Sequence, residues 1–216
     1  MISVPSNRIV AVLSSLAKQD IPYRLLRNID NELPNKLKRG KDIDVLSPWN
    51  HRGRLDHFLR EIGFCRVSHP LRGDKFLYSV HPFEFYRNST SDFFIDVHFE
   101  LACRSLNQGE WIPLDRAIQA RAWEECGHHL IGDVTVIGLS PACECLHLLT
   151  RCVFDKRKFD LGYLRRIEEL TAILSDAQLL GVLEPVFFKF SMCLLDLLRA
   201  KSYQEIIMSH LRFMDY

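Results

Sequence analysis

Asp42 and Asp44, in the run Gly40-Lys-Asp-Ile-Asp-Val-Leu46, and Asp96, in Phe93-Phe-Ile-Asp-Val-His98, interrupt apolar segments of β type. A carboxylate in such a segment is costly unless a cation neutralises it. Successive side chains of a strand point to opposite faces and each residue advances ~3.3 Å, so Asp42 and Asp44 share a face with Cα atoms roughly 6.6 Å apart. An adjacent strand ~4.8 Å away that carried Asp96 would complete a three-carboxylate cradle. Clustered carboxylates raise one another's pKa, and a divalent ion such as Mg²⁺ supplies the missing charge. The competing reading places Asp42 and Asp96 at strand ends, facing water. His98 follows Asp96 by two positions and shares its face, as a partner of the acids or as a structural histidine satisfied by backbone.

The elements that must position these groups follow from periodicity. Ile9, Val10, Val12, Leu13 and Leu16 recur at helical spacing from Ser6 to about Gln19, and Leu55, Phe58, Leu59 and Ile62 do so from Arg52 to Ile62, with Gly63 as the terminator. Strands are predicted at 22–27, 43–46, 64–67, 75–80, 83–87 and 92–99, with a polar loop over 28–40. Beyond Leu114 the periods are helical: about 115–125, 141–153, 160–174, 176–183, 186–199 and 203–212, with one strand at 133–138. Val186–Leu198 reads as a buried core helix. The expected division is residues 1–106, a catalytic domain, and 107–216, a mostly helical domain, because Ser105, Asn107, Gln108 and Gly109 dilute the apolar pattern.

Taken together, Tyr23-Arg-Leu-Leu-Arg-Asn-Ile-Asp-Asn-Glu-Leu-Pro34, Lys41-Asp-Ile-Asp-Val-Leu46 and Ile95-Asp-Val-His98 resemble an uncharacterised bacterial branch of the nucleotidyltransferase superfamily of the DNA polymerase beta type. The resemblance covers roughly Tyr23 to Leu101. It implies an α/β (α+β) fold, a small mixed β-sheet followed by a mostly helical domain. It implies Asp42, Asp44 and Asp96 as catalytic metal ligands, with two Mg²⁺ ions (or Mn²⁺) promoting transfer of a nucleoside monophosphate from a nucleoside triphosphate such as ATP to a hydroxyl acceptor. The acceptor would be a small molecule, a protein or an RNA end. Family members carry a Gly-Ser or Gly-Gly pair at the end of the first strand; Arg27-Asn28 stands there in this chain. Arg27 offers direct phosphate contact, Asn28 a residue tolerant of the left-handed conformation, and Lys41, with Lys36, Lys38 and Arg39, a local positive field for the triphosphate. The same replacement motivates an alternative, a non-catalytic module of this fold that binds a nucleotide, a sugar-phosphate or a protein partner.

Composition narrows the classes. Lys and Arg number 28 against 27 Asp and Glu, a formal charge of +1, so no overall field favours long nucleic acid or anionic lipid. Seven irregularly spaced cysteines and an N-terminus without the layout of a secretory leader lead us to expect a reduced, cytoplasmic setting and no membrane partner. A P-loop and a Gly-x-Ser-x-Gly elbow are missing from the sequence. Cys143, Cys145 and His147 make an awkward zinc set, because Cys145 points away from the other two on a helix. The basic groups Lys156-Arg-Lys158 and Arg165-Arg166 read as solvated helix faces, with contact to phosphate or an acidic acceptor as the alternative.

Overall fold

The computed structural model describes residues 6–33, 37–67, 83–88, 93–104, 111–131 and 133–211. The strand expected at 75–80 and Lys36 of the basic run lie outside them. The chain forms two compact units: Met1–Leu101 with Cys126–Leu139, and Ala102–Glu125 with Ser140–Tyr216. This departs from a single boundary at 106/107, because the segment after Glu125 returns to pair with the first strand.

The first unit contains α1 (Ser6–Lys18), β1 (Arg24–Leu25), β2 (Lys41–Leu46), α2 (Arg52–Glu61), β3 (Phe64–Val67), β4 (Phe83–Asn88) and β5 (Phe93–His98). The second opens with β6 (Ala102–Arg104), β7 (Trp111–Pro113) and α3 (Arg116–Glu124); β8 (Gly127–Ile131) and β9 (Val134–Gly138) then belong to the first. Among the described residues seven strands form one mixed sheet in the order β3-β4-β5-β2-β1-β9-β8. β2 and β5 run parallel at its centre, and β1 bridges β2, antiparallel, to β9, parallel.

Alternation along the strands decides which face is covered. Ile43 and Val45 of β2 and Ile95 and Val97 of β5 join Ile9, Leu13 and Leu16 of α1 and Leu55, Phe58 and Leu59 of α2 in one buried core. The intervening residues of β2 and β5, acids included, must therefore face away from these helices. Helix α2 ends one residue earlier than its apolar period: Ile62 is 40% exposed, and Gly63 turns the chain at φ +87°. Gly138, beside Leu25 in the sheet, leaves room for the His129 ring; an added Cβ would fall 2.3 Å from its Nε2.

In the second unit, α4 (Pro141–Thr150) is the central helix, followed by a π-type turn over Arg151–Lys156 and by α5 (Leu161–Ile173), α6 (Asp176–Phe187), α7 (Ser191–Arg199) and α8 (Tyr203–Leu211). Pro141 occupies its first turn and Ser140 Oγ accepts from the Cys143 amide, the arrangement a helix start favours. Every residue from Ala142 to Thr150 is buried. The continuous helix expected over 186–199 is not formed. Asp176–Arg199 is long and apolar enough to cross a membrane by length and composition, yet Phe188 takes φ +48° and breaks it into α6, a short turn over Phe188–Phe190, and α7. The positive φ ends α6, and α7 restarts beyond the turn. Arg199 fastens the rejoined end by donating to the carbonyls of Thr171 and Leu174 and to Asp176.

Candidate active site

The parallel pairing of β2 with β5 sets Asp44 directly beside Asp96 and Leu46 beside His98. Asp44, Asp96 and His98 each present one ligand atom within 4.8 Å of the others, and among the described residues they are the one group of acid, cysteine and histidine side chains so arranged. His98 Nε2 lies 3.4 Å from Asp96 Oδ2 and 3.7 Å from Asp44 Oδ1. Two of the three expected acids thus meet with an imidazole. Asp42 lies on the same face, one pleat toward the start of β2 and beside Phe94, outside that closest group.

Arg27 enters from the residues just after β1. Its Nε and Nη2 both lie 2.6 Å from Asp44 Oδ2, with side-chain exposures of 16% and 6%. The Leu26 amide donates to the Asp44 carbonyl at 3.0 Å, so the backbone that carries Arg27 is anchored to the strand that carries its partner. Asn28 is buried and spends its amide locally: Oδ1 accepts from the Leu33 amide at 3.0 Å and Nδ2 donates to the Leu33 carbonyl at 3.5 Å. It adopts φ −139°; the left-handed residue of this turn is Asp30, at φ +54°. Lys41 opens β2 on the exposed surface, as Lys38 and Arg39 do beside it.

The charges of the cluster are coupled. Burial opposes ionisation of Asp44, but the Arg27 guanidinium and then His98 outweigh it and hold this carboxyl well below the usual range. Burial likewise opposes the His98 cation, but Asp96 and Asp44 push its pKa up to about 9. Burial and then the Asp44 charge raise Asp42, against the pull of Arg27. Glu32 carries a further carboxylate close enough to respond: burial raises its pKa, Arg27 lowers it, and Asp44 and Asp42 raise it again. Glu32 sits in an aperiodic polar loop, and no sequence signal distinguishes it from its neighbours.

A divalent cation fits this donor set. Asp96 Oδ1 is buried without a hydrogen-bond partner, an orphan acceptor of a kind that a native structure rarely leaves. Carboxylate oxygens suit Mg²⁺ or Mn²⁺ better than a soft ion, and His98, protonated against Asp96 and Asp44, stands beside them as a counter-charge and not as a ligand. The sulfur-rich alternative does not assemble: Cys143 and Cys145 are buried within α4, and they form no ligand group with His147 among the described residues. In the second unit Lys156 and Lys158 pair with Asp160, and Arg166 pairs with Glu144 and Glu169.

No protein-family model matches the sequence, and no curated protein matches it. Solved structures do. The solution structure of the antibiotic-resistance factor ANT(2'')-Ia matches with a TM-score of 0.52 at 12% identity, over 88% of this chain and 94% of that one. The crystal structure of ANT(2'')-Ia in complex with adenylyl-2''-tobramycin gives 0.52 at 11% identity, over 82% and 93%. The lincomycin-bound lincosamide antibiotic adenylyltransferase LnuA gives 0.49 at 14% identity, over 80% and 100%. The mixed sheet followed by helices is the nucleotidyltransferase fold.

Proposed function

We propose that this protein is a divalent-cation-dependent nucleotidyltransferase that moves a nucleoside monophosphate, with ATP as the leading donor, onto a hydroxyl of a small-molecule acceptor. The observation that carries the reading is the pairing of Asp44 with Asp96 across the β2–β5 register, with Asp96 Oδ1 left buried and bare. Support for an adenylyl group and a small acceptor comes from the adenylylated tobramycin held by a protein of the same fold.

In this reading Asp42, Asp44 and Asp96 hold Mg²⁺, which when bound neutralises the phosphates and the oxygens that attack and leave. The acceptor oxygen bonds to the α-phosphorus while the bond from that phosphorus to the α,β-bridging oxygen breaks, releasing pyrophosphate. In the same reading Asp96 also helps to take up the acceptor's hydroxyl proton. His98, cationic at neutral pH and against both acids, fixes the Asp96 carboxylate. Lys41, with Lys38 and Arg39, draws the triphosphate to the start of β2. Asn28 serves the nucleotide indirectly, by shaping the loop from which Arg27 projects.

A second reading rests on the Arg27–Asp44 ion pair, which already occupies one oxygen of a proposed metal ligand. A module that binds nucleotide without turning it over would show that feature. The test is pyrophosphate release from each nucleoside triphosphate with Mg²⁺ and a panel of aminoglycosides, lincosamides and sugars. Release that disappears in Asp44→Ala and Asp96→Ala supports the enzyme; nucleotide binding without release over the whole panel supports the module; release that survives both substitutions overturns the site.

A further inference from the structure

We infer that Arg27 is a built-in cation that takes the place of one of the two metal ions, so that this site holds a single divalent ion. The inference rests on the proposed metal-dependent reading of the same acids. Asp44 is the acid that a two-ion site would have to share, because it lies between Asp42 on its own strand and Asp96 on the next. One of its oxygens, Oδ2, instead receives two guanidinium nitrogens at 2.6 Å each, in a pair from which water is nearly excluded. The other faces His98 at 3.7 Å. A dication placed on Oδ2 would sit against a guanidinium that cannot lose its proton, so the two compete for one position.

The charges lead to the same count. Asp42, Asp44 and Asp96 bring three negative charges, and Arg27 and His98, both against Asp44, answer two of them without any ion from solution, which leaves too little charge for two dications. Asp96 Oδ1 keeps an unused acceptor, so capacity for an ion persists away from Arg27. The guanidinium is a permanent cation that no chelator removes.

Counting Mn²⁺ ions per folded chain, by the electron paramagnetic resonance of the free ion, tests this without any turnover. The wild-type chain is expected to bind one ion, and Arg27→Ser and Arg27→Gln two. Two ions on the wild-type chain would overturn the inference and leave metal-dependent transfer standing; one ion on both neutral variants would do the same. No ion on any of the three would overturn this inference and the proposed function together. Melting curves establish which variants fold. If neither does, the wild-type count decides alone: one ion supports the inference, and two or none overturns it.

Discussion

Each unit of the protein buries a carboxylate against an arginine, and the two pairs are built differently. Glu144, in α4, has a side chain 2% exposed and meets Arg166 oxygen for nitrogen: Nε donates to Oε1 and Nη2 to Oε2, both at 2.8 Å. Asp44 is 6% exposed, but both nitrogens of Arg27 converge on a single oxygen, and its neighbour Asp96 keeps an oxygen with no hydrogen bond. The first pair is closed, with every acceptor of the carboxylate matched to a donor. The second is lopsided, with more negative charge than its cations answer. A closed pair holds architecture, whereas an open one stores the capacity to take up something positive.

The largest effects should separate the two by kind. Asp44→Ala is expected to lower the rate of pyrophosphate release by about 10⁴-fold, roughly 5.5 kcal/mol of barrier, since it removes the acid shared by the cluster. Glu144→Ala should instead destabilise the fold by about 1–3 kcal/mol, because Arg166 loses its two-pronged buried partner and keeps only the exposed Glu169. Urea unfolding and the rate per folded molecule distinguish them. A Glu144→Ala protein that unfolds normally but loses turnover would break the comparison.

The pairs should also differ in how they respond to pH. His98 gains from its acid neighbours, and its pKa rises from 6.5 to about 9 on folding. A raised base stabilises the folded state in full below its unfolded pKa and loses that contribution as pH climbs through the folded one. Metal-free protein in EDTA is therefore expected to lose roughly 2–3 kcal/mol of stability between pH 6.5 and 9.5, and His98→Gln to flatten that slope. The Glu144–Arg166 pair adds no slope there, since Glu144 pushes the Arg166 pKa further up from an already high value. Melting temperatures measured across this range in EDTA are the check; an equal slope in His98→Gln would remove His98 from the account.

How much of this was legible beforehand depended on the period of each segment. The acids were readable because a carboxylate at alternate positions of an Ile-Val-Leu strand violates its surroundings, and Asp42, Asp44, Asp96 and His98 duly share the face away from α1 and α2. Helices α1, α2, α3 and α5 stand within two residues of their expected bounds because their apolar stripes are uninterrupted. β8 was missed: Gly127-His-His-Leu-Ile131 has two polar residues in sequence and lies at the edge of the sheet. β6 and β7, three residues each, are too short to show a period. The Arg27–Asp44 pair was invisible for another reason, since only the fold brings position 27 to position 44, and the sequence pointed Arg27 at phosphate instead.

Asp42 offers the smallest and sharpest test of the open cluster. Its carboxyl is half-buried, and burial and the Asp44 charge together raise its pKa, so ionising it costs more in the folded protein than in the unfolded chain. A raised acid weakens the fold above its unfolded pKa; replacing it by the neutral isostere lifts that penalty. Asp42→Asn in EDTA at pH 7.5 should therefore melt higher than wild type, by an amount equivalent to about 0.5–1 kcal/mol, the usual size of a relieved surface repulsion. Saturating Mg²⁺ should reverse the order, because an ion that binds only the folded protein stabilises the chain that holds it more tightly. A variant that melts lower in EDTA would mean that Asp42 is a satisfied strand residue. A variant that melts higher but gains as much from Mg²⁺ as wild type would leave Asp42 as a neighbour of the site and would place the ion with Asp96 and the other acids.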